Sequence, residues 1–341
     1  MKIVNSYLKK SIKCLAKFVM APLYILSFFY GGIIFFLRFL KSRRLFTFPC
    51  RVISVGNITV GGTGKTPLVE YLVEILKEKG FYTAVLSRGY SLGQNLTDEP
   101  DMLREKLDIP VIIDKNRIRG INRALKEYKI DTVILDDGFQ QWQIAKNLEI
   151  VALDAGNPLG NGWILPAGIL REPVSSLKRA QVVVLTKTNF NPDTTEVKKI
   201  IKRINPAISI FDAEYQPQEF YRLKDPAFKI TTPQFFKNRK VVLVCAIANP
   251  ESFNQIILSL GIKIENTFKF PDHHLYTPKD IEKIKGYCKK KGIELLITTE
   301  KDAVKLKKMG IWTENFFVLK IKLNIINEKE FKQRLFSIYN S

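Results

Sequence analysis

The hydrophobic positions of the chain follow three rhythms in turn. Phe18 to Leu37 is a run of twenty residues without a charge, dense in Phe, Leu, Ile and Tyr. Twenty residues at helical rise match the hydrocarbon thickness of a bilayer. The run is too long for a signal-peptide core and no small-x-small cleavage site follows it. Pro22 and Gly31-Gly32 weaken a simple spanning helix, so the expectation is a membrane-attached segment, spanning or held in the interface. From about residue 49 the rhythm becomes an alternation of short apolar runs and 3.6-residue periodicity. A β-branched run from Val52 leads into a glycine-rich turn, after which Leu68, Leu72, Ile75 and Leu76 share one helix face and Gly80 marks a stop. Strands are expected at 81–86, 110–113, 132–135, 149–153 and 181–185, with helices opening at Asp98 and spanning 116–128. A stretch rich in Pro and aromatics follows. The third rhythm, again strand and helix, starts near Lys240: strands at 241–246, 263–268, 294–298 and 316–321, helices at 251–260 and 278–290.

This alternation predicts an α/β fold with a doubly wound, mostly parallel sheet, whose ligands collect at the carboxyl ends of the strands. The expected divisions are a membrane-associated segment over 1–48, a nucleotide-binding α/β domain over 49–212, a linker over 213–239 and a second, smaller α/β domain over 240–341.

Charge narrows the choice of partner. The formal net charge is +21, and the first 69 residues hold eleven Lys or Arg and no acid. Such asymmetry suits a polyanion, either nucleic acid or an anionic lipid surface. The basic residues sit beside the apolar run rather than in an aromatic-interleaved patch, so an anionic membrane surface is expected and nucleic acid is not. Basic flanks on both sides of the run give no orientation under the positive-inside rule. Four scattered cysteines and two histidines exclude a disulfide framework or structural zinc site and fit a reducing compartment. A monomer is expected.

Candidate chemistry starts at Gly61-Gly62-Thr63-Gly64-Lys65-Thr66, placed between the first strand and its helix. In that context the glycines let backbone N–H groups converge on phosphate oxygens, and the helix N-terminus adds positive potential. Lys65 would reach the β- and γ-phosphates, and the Thr66 hydroxyl would bind Mg²⁺. The common pattern has Gly where this chain has Thr59. A related branch has Lys where this chain has Val60. The strand over 132–135 delivers Asp136 and Asp137 at its carboxyl end, where carboxylates that organise the metal are wanted. Asp98 could face the γ-phosphate or cap its helix. Arg171 lies in a Gly/Pro-rich loop suited to setting a guanidinium on phosphate. His273 and His274 are the only histidines, with a surface turn as the plain alternative. The strand-end sequence Thr186-Lys187-Thr188-Asn189 looks like a guanine reader. Its final Asn offers one acceptor oxygen where bidentate reading needs two, which favours ATP over GTP.

The phosphate-loop run, Leu-Ser-Arg-Gly-Tyr (86–90), Asp-Glu-Pro (98–100), Leu-Asp-Asp-Gly-Phe-Gln (135–140), Leu-Pro-Ala-Gly-x-Leu-Arg-Glu (165–172), Asp-His-His (272–274) and Thr-Thr-Glu-Lys-Asp-Ala-Val (298–304) resemble, in order, the tetraacyldisaccharide 4′-kinase family. The resemblance implies transfer of the ATP γ-phosphoryl group to the 4′-hydroxyl of a tetraacylated glucosamine disaccharide 1-phosphate, in lipid A biosynthesis, at the cytoplasmic face of the inner membrane. It implies two α/β/α domains joined by a short two-stranded linker, with the active site between them. It implies that Asp98 and His273 act together on the acceptor hydroxyl and that Asp136 and Asp137 serve Mg²⁺. The chain departs from the family at Gln141, where His is usual, and at Ala246 and Ala248, where Gly is usual. Gln141 is therefore given no catalytic role. The rival reading is a membrane-associated nucleotide switch, which needs the same loop and no acceptor base.

Overall fold

The computed structural model describes residues 2–88, 98–310 and 314–340; the side chains of residues 2–20, 98, 99 and 105 lie outside the description. Helix α1 (Lys2–Ser42) is continuous through Pro22 and Gly31-Gly32. The stretch Ala21–Ser42 is long and apolar enough to cross a membrane. Phe28, Phe29, Phe35 and Phe36 are all more than half exposed on it. Gly31 has a packing role: a Cβ there would lie 2.7 Å from Ile164 Cδ1.

The main body then alternates strand and helix: β1 (Arg51–Gly56), α2 (Lys65–Glu78), β2 (Thr83–Ser87), α3 (Asp98–Leu107), β3 (Val111–Ile113), α4 (Arg117–Glu127), β4 (Thr132–Asp136), β5 (Leu148–Asp154), β6 (Val182–Thr186) and α5 (Thr195–Ile204). Two strands follow, β7 (Ser209–Arg222) and β8 (Lys229–Ile230). The alternation then resumes with β9 (Lys240–Cys245), α6 (Pro250–Ser259), β10 (Lys263–Lys269), α7 (Pro278–Lys291), β11 (Leu295–Thr299), α8 (Glu300–Lys307), β12 (Phe316–Ile325) and α9 (Glu328–Phe336). Every strand named from sequence is present to within two residues, except that β12 runs four residues further. Four of these elements have no counterpart among the ranges read from sequence: α5, α8, β7 and β8.

All described strands join one sheet in the order β10-β9-β11-β12-β7-β6-β5-β1-β4-β2-β3, with β8 beside β7. Pairing is parallel except at β7–β12 and β7–β8. Two parallel blocks therefore meet at one antiparallel seam. Pro217 lies inside that seam, where a proline lacks the N–H a ladder requires. The register shifts opposite it, between Lys320 and Ile321, so the bulge absorbs the missing donor. Phe211, Ala213 and Tyr215 alternate inward along β7, a period-2 signal that Pro217 disguises as irregular chain.

The central strands are apolar on both faces because helices cover both. On one face Ile53, Val55 and Ile134 meet Leu68, Leu72 and Leu76 of α2. On the other, Val52, Val133 and Leu135 meet Ile121 and Ala124 of α4. Each such fully buried aliphatic contributes about 1.5–3 kcal/mol, so Leu72→Ala alone costs about 2–5 kcal/mol. That rigid frame holds the carboxyl ends of β1, β4, β5 and β6 side by side, and the functional loops hang from them.

Candidate functional site

The phosphate loop is shaped by two kinds of constraint. Gly61 and Gly64 sit at φ +105° and +81°, a region that side chains resist. Gly64 is also confined by space, since a Cβ there would come 2.5 Å from the Tyr215 hydroxyl. The remaining constraints are hydrogen bonds. Asn57 Nδ2 donates to Thr63 Oγ1 (3.1 Å), Thr186 Oγ1 donates to the Thr63 carbonyl (3.0 Å) and Lys187 Nζ donates to the Gly62 carbonyl (2.8 Å). The Gly62 and Thr63 carbonyls turn outward to the end of β6 and the Thr63 N–H bonds the Gly61 carbonyl (3.1 Å), so the N–H groups of Gly61, Gly62 and Gly64 are the ones available to the cavity. Helix α2 begins there without an acidic residue in its first turn. An anion would meet an uncompensated helix N-terminus.

Asp136 and Asp137 end β4 beside this loop. Asp137 has φ +56°, and both its carboxylate oxygens accept from Arg171 Nη1 at 3.0 Å. Lys65 Nζ lies 3.5 Å from the same carboxylate. Burial opposes ionisation of Asp137, but the charges of Lys65 and Arg171 outweigh it and hold its carboxyl below the usual range. Beneath Asp136 the buried Arg117 donates to its backbone carbonyl (3.0 Å), pinning the strand end. Gln140 Nε2 donates both to the Asn57 carbonyl (3.1 Å) and to Glu172 (2.9 Å), tying the start of the phosphate loop to the segment that carries Arg171. That segment also pairs with the loop through Val60 N to the Ile169 carbonyl and Arg171 N to the Ile58 carbonyl.

The opposite wall comes from the other side of the seam. Gly62 approaches the loop after β9, where an added Cβ would lie 3.2 Å from Ala248 Cβ. Asn249 caps α6 and donates through Nδ2 to Asp154 (3.1 Å), which also holds Lys187 (2.5 Å). His273 sits at φ +61° with Nε2 3.4 Å from Lys301 Nζ, and Lys301 binds Asp272 at 3.0 Å. Between the walls is a cavity of about 290 Å³. It is lined by the phosphate loop with Lys65 and Thr66, by Asp136, Asp137 and Arg171, and by His273. Every sequence-predicted site residue therefore shares one cavity, apart from Asp98. Asp98 is the first residue of α3, and its side chain lies outside the described residues.

His274 does not join them. It stacks on Phe270 (ring centroids 4.7 Å apart) and bonds Asp280 at 3.0 Å, anchoring the turn to the cap of α7. Asn189 spends both ends of its amide on the Tyr215 backbone (3.1 and 3.3 Å), so it reads no base. Lys187, Gln140, Lys301 and Asn249 are structurally engaged residues to which sequence reasoning gave no role. Lys187, Gln140 and Lys301 stand inside the motifs given above, which is the available signal.

Helix α1 docks on the segment leading to Arg171. Ser27, wholly buried among described helix neighbours that are exposed or half-buried, donates to the Ile164 carbonyl and accepts from Ala167 N, both at 2.9 Å. Tyr24 packs on Trp163, centroids 4.5 Å apart. Tyr24, Ser27 and Gly31 fall on one helix face by their spacing.

A cavity with a phosphate loop, a paired Asp137 and a facing histidine is an arrangement for handling a nucleoside triphosphate and a second substrate. Comparison with known proteins agrees. The family model for tetraacyldisaccharide-1-P 4′-kinase matches residues 19–340. A tetraacyldisaccharide 4′-kinase of Halothermothrix orenii is 35% identical, over 91% of this chain and 90% of that protein. One of Elusimicrobium minutum is 34% identical, over 85% and 82%. Among solved structures, LpxK from Aquifex aeolicus in complex with ATP matches with a TM-score of 0.73 and 27% identity, covering 94% of this chain and 99% of that one. The chain belongs to the tetraacyldisaccharide-1-P 4′-kinase family.

Proposed function

We propose that the protein transfers the γ-phosphoryl group of ATP to the 4′-hydroxyl of a tetraacylated glucosamine disaccharide 1-phosphate. The observation that carries this reading is the single cavity that brings the phosphate loop and His273 to face each other beside a docked apolar helix. A sugar hydroxyl is a weak nucleophile, so it needs a base beside it and charge neutralisation at the phosphate. His273, acting with Asp98, takes the hydroxyl proton. The freed oxygen attacks the γ-phosphorus from the side opposite the leaving group. The bond to the β,γ-bridging oxygen breaks, and its electron pair leaves with ADP. Lys65, Arg171 and the backbone N–H groups of Gly61, Gly62, Gly64, Lys65 and Thr66 stabilise the charge that develops.

Mg²⁺ fits the donor set. Thr66 offers a hydroxyl and Asp136 and Asp137 offer carboxylates, all hard oxygens, and Mg²⁺ characteristically completes such a set with phosphate oxygens and water. Among the described residues no group of three or more His, Cys, Asp or Glu could hold a metal ion by itself. When bound, the ion would neutralise phosphate charge.

The two halves of the sheet act as two domains flanking this cavity, with β7 and β12 as the joint. Helix α1 attaches the enzyme to the inner membrane with the cavity on the cytoplasmic side, where ATP is found. Its apolar face and basic flanks suit an acylated, anionic substrate that stays in the bilayer. The enzyme works as a monomer.

The test is ADP formation with and without the disaccharide 1-phosphate in mixed micelles. Lipid-dependent ADP, matched one to one by doubly phosphorylated lipid, is expected. Phosphate release without lipid product would favour a nucleotide switch.

A further inference from the structure

Four residues close a ring where the two walls of the cavity touch. The Gly62 carbonyl accepts from Lys187 Nζ (2.8 Å), the same ammonium donates to Asp154 Oδ2 (2.5 Å), and that oxygen also accepts from Asn249 Nδ2 (3.1 Å). Packing completes the ring, since a Cβ on Gly62 would lie 3.2 Å from Ala248 Cβ and 3.8 Å from Asn249 N. We infer that the Asn249–Asp154 pair is a positioning device for the transfer: through Lys187 it seats the wall that carries His273 on the phosphate loop. The inference rests on the kinase reading above.

Its first support is the choice of cap. Asn249 Oδ1 accepts from Ser252 N (3.1 Å) at the start of α6, a task that Asp or Ser performs equally well. Only the amide adds a donor of the same reach, and that donor is spent on Asp154. The second support is the carboxylate itself. Asp154 Oδ1 accepts from Gly156 N (2.9 Å) while Oδ2 takes Lys187 and Asn249, so three segments hold it: its own loop, the end of β6 and the facing wall. The third is Lys187. It is only 3% exposed, and a lysine so buried persists only when paired. At φ +62° its backbone is in the left-handed region, kept where the surroundings over-determine it. Lys187 is therefore a fixed post between loop and carboxylate. The last link runs to His273. Strand β10 pairs with β9, and Phe270 N donates to the Cys245 carbonyl (2.9 Å), so Asn249 and His273 follow adjoining strand ends. A shift of one carries the other.

A device that registers the two walls should act on turnover and leave the phosphate loop able to bind. Asn249→Ser and Asn249→Asp both keep a cap on α6. Ser falls short of Asp154, and Asp sets a second carboxylate against it. In each, kcat should fall about ten- to a hundredfold, the usual effect of misplaced reacting groups, while the Kd for a non-hydrolysable ATP analogue, measured without lipid, stays within about twofold. The melting temperature should change little, because the cap survives. Asp154→Asn removes the charge that Lys187 and Asn249 share. It should match the loss in kcat and also weaken the analogue, because the tie to Gly62 loosens with it. Asn249→Ser added to Asp154→Asn should cost no further kcat, since the bond is already gone. The two Asn249 variants decide the question if Asp154→Asn folds poorly. Unchanged kcat in both would reduce Asn249 to a cap and overturn the inference. Weaker analogue binding with kcat preserved, or additive losses in the double variant, would overturn it too. The wild-type assay is scored first. If it forms no phosphorylated lipid, the kinase reading fails. If it does and the Asn249 variants match it, only the positioning role fails.

Discussion

The two walls of the cavity are built by opposite means. The phosphate-loop wall is ten consecutive residues, Asn57 to Thr66, shaped by glycine conformations and by bonds to the ends of neighbouring strands. The facing wall has no local motif of that kind. It gathers Asn249 after β9, His273 after β10 and Lys301 after β11, three segments spread over more than fifty residues. A local wall binds its ligand with groups that are in place once β1 and α2 pack. A gathered wall depends on the seam between β7 and β12 to bring it within reach of the phosphate, and so suits the step in which two substrates meet. Nucleotide binding and phosphoryl transfer should therefore separate on mutation.

The most damaging change should be on the local wall. Lys65→Ala should lower kcat/KM about a thousandfold, the upper range for removing one preorganised electrostatic contact, with the melting temperature little changed. A fully active variant would remove the phosphate loop from the mechanism. On the gathered wall, His273→Ala should lower kcat about a hundredfold while ATP affinity stays within about twofold. Asp98→Ala and the double variant should fall to a similar residual rate if the two act as one unit, and additive losses would separate them.

A smaller effect should come from beneath the local wall. Ser27→Ala removes both hydrogen bonds that seat α1 on the segment before Arg171. The KM for lipid should rise severalfold and that for ATP should not, at a local cost of about 1–3 kcal/mol for the unpaired backbone groups. Equal changes in both KM values would mean that the helix does not serve the lipid side.

The smallest effect concerns stability alone. Lys106 on α3 binds Glu70 of α2 (2.7 Å) and Glu300 of α8 (3.1 Å), crossing from one wall to the other. Burial pushes the Glu70 carboxyl up to about 7, helped by Glu300 and opposed by Lys106. A carboxyl whose folded pKa is raised binds its proton more tightly in the folded state. Its contribution is then fully present below the unfolded value of 4.5 and is lost as pH rises to about 7. Relative to Glu70→Gln, the wild type should lose on the order of 2–3 kcal/mol across that window. Parallel denaturation curves at pH 5 and pH 8 would contradict this.

The same contrast explains what could be read from the chain. The phosphate loop, Asp136 and Asp137 were legible because strand, glycine turn and helix are coded by neighbours. Most strands were legible because both faces are buried and the runs are uniformly apolar. The β7 strand was hidden by Pro217, which a bulge accommodates only once β12 is paired opposite. Helix α8 is eight residues long and mostly polar, with no apolar stripe long enough to announce it. Lys301 and the buried Ser27 were visible as residues but not as contacts, since their partners lie 28 and 137 positions away. The different fates of His273 and His274 could not be told from two identical neighbours. The Phe270 stack and the Asp280 bond decide them.

The account stands on phosphate moving across the cavity, from a nucleotide on the local wall to a hydroxyl held by the gathered one. The direct measurement is a single-turnover reaction with γ-labelled ATP and the tetraacyldisaccharide 1-phosphate, with the label located in the product by phosphorus NMR and mass spectrometry. The account predicts one labelled phosphate on the 4′-oxygen, lost in His273→Ala under conditions where ATP still binds. Label found only as inorganic phosphate, with the lipid unchanged, would contradict it.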